Sequence, residues 1–186
     1  MSMGMGAPLW YRDRSTLRLL ALGCLPWLAG LNLVWEIAQL PLYTIWTDAS
    51  AGFMAFAVAH CTLGDLLIGS AALLISLIAG GGGASERWRW RRIALGTALI
   101  GAGYTVFSEW MNLTVLQSWA YSEWMPVIEF AGLRTGLSPL LQWLVVPPLA
   151  LSLARKTCGG GKLSDAGRVR CAVADCELAP MRVRRR

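Results

Sequence analysis

The chain has 186 residues, ten of them tryptophan, with 55% apolar and only 15% charged residues and a formal net charge of +6. That balance is too apolar and too poorly charged for an ordinary soluble domain of this size, so the composition points to a lipid bilayer. The basic excess is concentrated in a few segments and reads as membrane topology; nucleic-acid binding is not expected from it, even for the terminal "RVRRR".

Four long apolar runs follow one another, at about 19–42, 53–79, 93–115 and 137–154. Each approaches or exceeds the ~20 residues a helix needs to cross ~30 Å of hydrocarbon. The expected fold is all-α: an integral membrane four-helix bundle spanning 19–154. A short cytoplasmic segment, 1–18, precedes it, and a disordered basic cytoplasmic tail, 155–186, follows. Arg12, Arg14 and Arg18 precede the first run, Arg87, Arg89, Arg91 and Arg92 lie between the second and third, and Arg155, Lys156 and seven more follow the fourth. With both termini cytoplasmic (N-in, C-in), sixteen of the seventeen basic residues share one side, which leaves Arg134 alone on the other.

The first run, "LLALGCLPWLAGL", also has the charged and apolar parts of a secretory signal. It continues to Leu42, too long for one, and Ala21 and Leu22 depart from a lipoprotein cleavage box before Cys24. "GGGGAS" at Gly80–Ser85 ends the second run and leads into "ERWRWRR", whose Trp88 and Trp90 suit a membrane interface. Trp46, Trp110, Trp119 and Trp124 suit the opposite interface. Cys158, Cys171 and Cys176 have neither a C-x-x-C pair nor a nearby histidine, so free thiols are expected in place of zinc.

Polar residues interrupt these runs in a pattern. Asn32, Glu36 and Gln39 recur at spacings of four and three on one face of the first helix, and Thr105, Glu109 and Asn112 repeat this on the third, beside Tyr104 and Ser108. The second helix runs back, with His60 in its outer third and Asp65 near mid-depth; Ser138 and Gln142 lie one turn apart near the outer end of the fourth. A charged carboxylate facing lipid at mid-depth costs ~2.5 to 3.5 kcal/mol, so such residues turn inward to partners or water. The expected site has Glu109, His60, Asp65 and Glu36 as candidate catalytic groups and Asn112, Gln142, Tyr104 and Arg134 as candidate binding groups. Its carboxyls are expected to hydrogen-bond His60, Asn112 or Gln142. The competing expectation is interhelical glue, at ~0.6 to 2 kcal/mol per hydrogen bond.

"GYTVFSEWMN", "SWAYSEWMP" and "GLSPLLQWLVVPP" resemble the signature segments of a family of small bacterial integral membrane proteins of uncharacterised activity. The resemblance covers mainly Gly103–Pro148, more loosely Glu36–Trp46 and His60–Asp65. It implies a multi-pass protein of the bacterial inner membrane and supplies no activity. "AYSEWMP" is expected to roof the cavity with an outer-loop segment, and Arg134 to pair with Glu129, Glu123 or Glu109 or to hold an anion. Pro139 suits a first helical turn.

Three classes of function stay open: an enzyme on a lipid-soluble substrate, a small proton-coupled transporter, and an accessory subunit of a membrane complex. Membrane lipids are the expected partners, with a hydrophobic small molecule, a second copy or other subunits as candidates. No cofactor or metal is expected: Glu-x-x-His pairs, a P-loop and a dinucleotide fingerprint are all missing from the sequence.

Overall fold

The computed structural model describes residues 10–80, 88–130 and 132–159. Helix α1 (Arg14–Leu42) begins where the Asp13 carboxylate accepts the amides of Ser15 and Thr16, satisfying two of the four donors a helix start leaves orphaned. It starts earlier than its apolar run because this cap sits among polar residues. Pro26 lacks an amide and its ring crowds the preceding turn. The strain is met by a π turn at Leu19–Cys24, where the amide of Leu25 reaches back to the carbonyl of Leu20. A 3-10 turn at Leu40–Leu42, holding Pro41, ends the helix.

Ser50 caps α2 (Ala51–Ala79) by accepting the amide of Phe53. Helix α3 (Trp90–Trp110) passes into a second π turn at Met111–Val115, and Gln117, at φ 49°, turns the chain away in the left-handed region. Helix α4 (Leu137–Gly159) carries Pro139 in its first turn as expected, and Pro147–Pro148 in its interior. It runs past Arg155, where a tail was expected to start; Lys162 to Arg186, with Cys171 and Cys176, and most of the glycine hinge lie outside the described residues.

The chain is mostly helical, and α1, α2 and α4 are long and apolar enough to cross a membrane. Helix α3 is not among them, because Arg91, Arg92 and Glu109, with its glycines, threonines and Ser108, lower its hydropathy. The all-α expectation needs one correction. Strands β1 (Val127–Phe130) and β2 (Leu133–Gly136) form an antiparallel hairpin, in register from Val127 opposite Gly136 to Phe130 opposite Leu133. Val127, Ile128 and Phe130 are strand formers, and Gly132, at φ 78°, supplies the left-handed residue the tight turn requires.

Packing closes the four long helices into a ring: α1 touches α2 and α4, and α3 touches the same two. At one end Leu19, Leu73, Leu77, Ile93 and Leu151 fill the centre, with Trp88 buried beside them rather than facing outward. Trp90 lies under the Arg155 guanidinium, 4.9 Å from its ring centre. Cys24 and Cys61 are free thiols, whereas Cys158 is disulfide-bonded, against the expectation of a free thiol.

Midway along, Trp143 plugs the ring. Its indole lies in a notch at Gly101, where an added Cβ would come within 1.9 Å of the ring, and Gly69 gives it room on the other side. Above this plug the packing opens.

Candidate functional site

The open end is a cavity of about 510 Å³ with Trp143 and Ile68 at its base. Seven of the eight expected site residues line it: Glu36 from α1, His60 and Asp65 from α2, Tyr104, Glu109 and Asn112 from α3 and its π turn, and Gln142 from α4. Arg134 is the exception. It lies directly opposite Glu129 in the hairpin, and this register makes the pair an exposed salt bridge of 2.9 Å, with both side chains 68% exposed. Such a pair is worth little to stability and leaves Arg134 outside the cavity lining.

Gln142 is the hub of the polar network. Its amide nitrogen faces three oxygens from two other helices: Asp65 Oδ2 at 2.8 Å, Asn32 Oδ1 at 3.0 Å and Glu36 Oε1 at 3.1 Å. Glu36 Oε1 also accepts from Gln39 Nε2 at 2.8 Å, and Gln39 Oε1 accepts from the Ser138 hydroxyl at 2.9 Å. A single chain of hydrogen bonds thus ties α1, α2 and α4 together, because their polar residues recur at one-turn spacing on the faces that meet.

The other expected partners behave differently. Asn112 donates to the Ser108 carbonyl at 2.9 Å and to its hydroxyl at 3.3 Å, within its own helix. His60 has no hydrogen-bond partner among the described residues; it is exposed at the rim and stacks on Phe56, ring centres 5.7 Å apart. Phe53, Phe56 and Tyr104 are exposed beside it, so the rim between α2 and α3 is aromatic and opens sideways.

A cap covers the top. The Thr44 amide donates to the Ala120 carbonyl and the Ser122 amide to the Leu42 carbonyl, both at 3.0 Å, which aligns Tyr43 with Tyr121 in an isolated antiparallel bridge. The Tyr121 hydroxyl donates to Glu109 Oε2 and accepts the Gly136 amide at 2.7 Å. Burial, then the hydrogen bond to Glu109, pushes the Tyr121 phenol well above the usual tyrosine range; burial, then the Glu109 charge, does the same to Tyr43.

The sequence reading did not place Tyr43 or Trp119 in the cavity lining, and although it expected the segment holding Tyr121 to roof the cavity, it did not foresee the contact of that residue with Glu109. Their contacts are set by loops that meet about 80 residues apart in the chain, a span for which helical spacing carries no signal. Among the described residues no three His, Cys, Asp or Glu side chains are grouped to hold a metal ion.

No protein-family model, curated protein or solved structure matches the chain.

Proposed function

We propose that this is a multi-pass protein of the bacterial inner membrane whose cavity binds a lipid-soluble molecule with a polar head. In this reading all four helices cross the bilayer, both termini are cytoplasmic, and the cavity opens to the extracytoplasmic half. The observation that carries it is the cavity itself: carboxyls and amides from four helices meet in a space walled by Leu40, Phe53, Phe56, Val58 and Ile68. A merely structural set of polar contacts would be close-packed, as the apolar end of the same ring is.

The topology draws on charge. Arg12, Arg14 and Arg18, Arg89, Arg91 and Arg92, and Arg155 and Lys156 flank the helix ends that meet in the apolar cluster, opposite the cavity. The aromatic rim between α2 and α3 suits entry from the lipid. Whether the bound molecule is also transformed depends on Glu109, Asp65, Glu36 and His60 exchanging protons with it.

Native mass spectrometry of the detergent-purified protein beside a Gly64→Leu variant tests this reading. Gly64 lines the cavity, and a Cβ there meets nothing within 4 Å, so leucine fills the space without disturbing the network. The expected result is a copurifying lipid-soluble molecule on the wild type, lost from a variant of equal helicity. A bare protein in both would favour an accessory subunit of a membrane complex.

A further inference from the structure

Around its carboxyls the hydrogen-bonding capacity of the cavity is lopsided. The amide and phenol donors nearest them are committed inside the protein, Gln142 to Asn32, Glu36 and Asp65, Gln39 to Glu36, Tyr121 to Glu109, and Asn112 to Ser108, while the Trp119 indole and the Asn32 amide are buried donors with no partner among the described residues. Acceptor capacity is left over, since each carboxylate oxygen takes two hydrogen bonds. Glu109, 5% exposed, uses one oxygen on Tyr121. Thr105, 7% exposed and one helical turn from Glu109, lines the cavity with a hydroxyl that has no hydrogen-bond partner among the described residues.

Charge is lopsided in the same direction. Glu36, Asp65 and Glu109 line the cavity, and among the described residues no lysine or arginine does. An unpaired carboxylate held away from water is costly, and a bound cation that also donates hydrogen bonds would offset that cost. At the rim, the faces of Phe53, Phe56 and Tyr104 attract cations and shield an alkyl chain from water.

We propose that the cavity takes a lipid-soluble primary ammonium, its N–H groups shared among Glu36, Asp65, Glu109 and the Thr105 hydroxyl and its alkyl chain leaving between α2 and α3. This rests on the reading of the cavity as a site for a lipid-soluble molecule, and adds the chemistry of the head. A neutral alcohol offers one donor and no charge, and a carboxylate brings negative charge to a cavity already lined by acidic groups, so both bind more weakly.

The test uses the full chain in phosphatidylcholine nanodiscs, with radiolabelled dodecylamine read by scintillation proximity. Unlabelled dodecylamine, dodecanol and dodecanoate compete against wild type, Glu36→Gln, Thr105→Val and Gly64→Leu. Saturable binding is expected, with dodecylamine competing at least about ten-fold better than dodecanol, in line with the greater strength of charge-assisted hydrogen bonds. Glu36→Gln is expected to weaken binding about ten-fold, Thr105→Val less, and Gly64→Leu to abolish it.

Dodecanol or dodecanoate competing as well as the amine would overturn the ammonium and leave the cavity reading standing. Saturable binding that Gly64→Leu leaves unchanged would place the amine elsewhere and sink both. Absence of saturable binding overturns the ammonium, while the copurification result still decides the cavity. Thr105→Val keeps shape and volume, so the head-group contact remains testable if Glu36→Gln fails to fold.

Discussion

Replacing Gln142 by leucine removes the hub of the network while nearly conserving side-chain volume, so no large cavity term enters. Three contacts disappear, to Asp65, Asn32 and Glu36. At the ~0.6 kcal/mol average measured for interhelical hydrogen bonds in membranes, the loss is about 2 kcal/mol. The water-soluble scale, at ~1 to 3 kcal/mol for each buried group left unpaired, sets an upper bound that the neighbouring cavity lowers by giving the acceptors access to water. Equilibrium unfolding in mixed micelles, followed by circular dichroism, measures the change. A double-mutant cycle with Asn32→Ala isolates one contact, and a coupling of at least ~0.5 kcal/mol is expected. A loss below ~0.5 kcal/mol, or strict additivity with Asn32→Ala, would refute the view that Gln142 holds three helices together.

Gly101→Ala drives a methyl group into the Trp143 ring and is expected to cost at least ~2 kcal/mol, whereas Gly103→Ala, with nothing within 4 Å, is neutral or stabilising; the same unfolding assay compares them. Tyr121 binds its phenolic proton more tightly in the folded chain than in the unfolded one, so its contribution is complete below pH ~10 and is lost as pH rises above that. Unfolding curves across that range are expected to fall more steeply for the wild type than for Tyr121→Phe. Asp13 is held below its ordinary 3.8, first by the Ser15 hydroxyl and then by that of Thr16, so its cap is present above that value and fades as pH falls through its lower folded value. Asp13→Ala is expected to cost ~1 kcal/mol and to speed amide exchange at Ser15 and Thr16.

The long helices were readable because apolar runs of membrane length have few alternatives, and the one-turn recurrence of Asn32, Glu36 and Gln39 marked the face that meets Gln142. Depth along antiparallel helices also brought His60, Asp65, Glu109 and Asn112 to the same end. Both π turns escaped notice, since their residues match the helices around them and only the i−5 hydrogen bonds distinguish them. The hairpin was hidden within a loop because "VIEFAGLRTG" is too short for its alternation to stand out. Arg134 was expected to pair with Glu129, Glu123 or Glu109 or to hold an anion; the hairpin register selects Glu129, which sequence could not single out, and leaves Arg134 outside the cavity lining.

The hydrogen bonds are distributed unequally around the ring. The chain from Ser138 to Asp65 stitches α1, α2 and α4 into a block, yet among the described residues no side-chain hydrogen bond joins α3 to another long helix. Above, α3 is latched by Tyr121; lower down it is held by the indole seated at Gly101. At its lower end Ile93 joins the apolar cluster and Trp90 lies under Arg155. The wall that carries Glu109 is thus tied to the other long helices by packing, and through Tyr121 to the cap, rather than by the hydrogen-bonded chain that joins the other three.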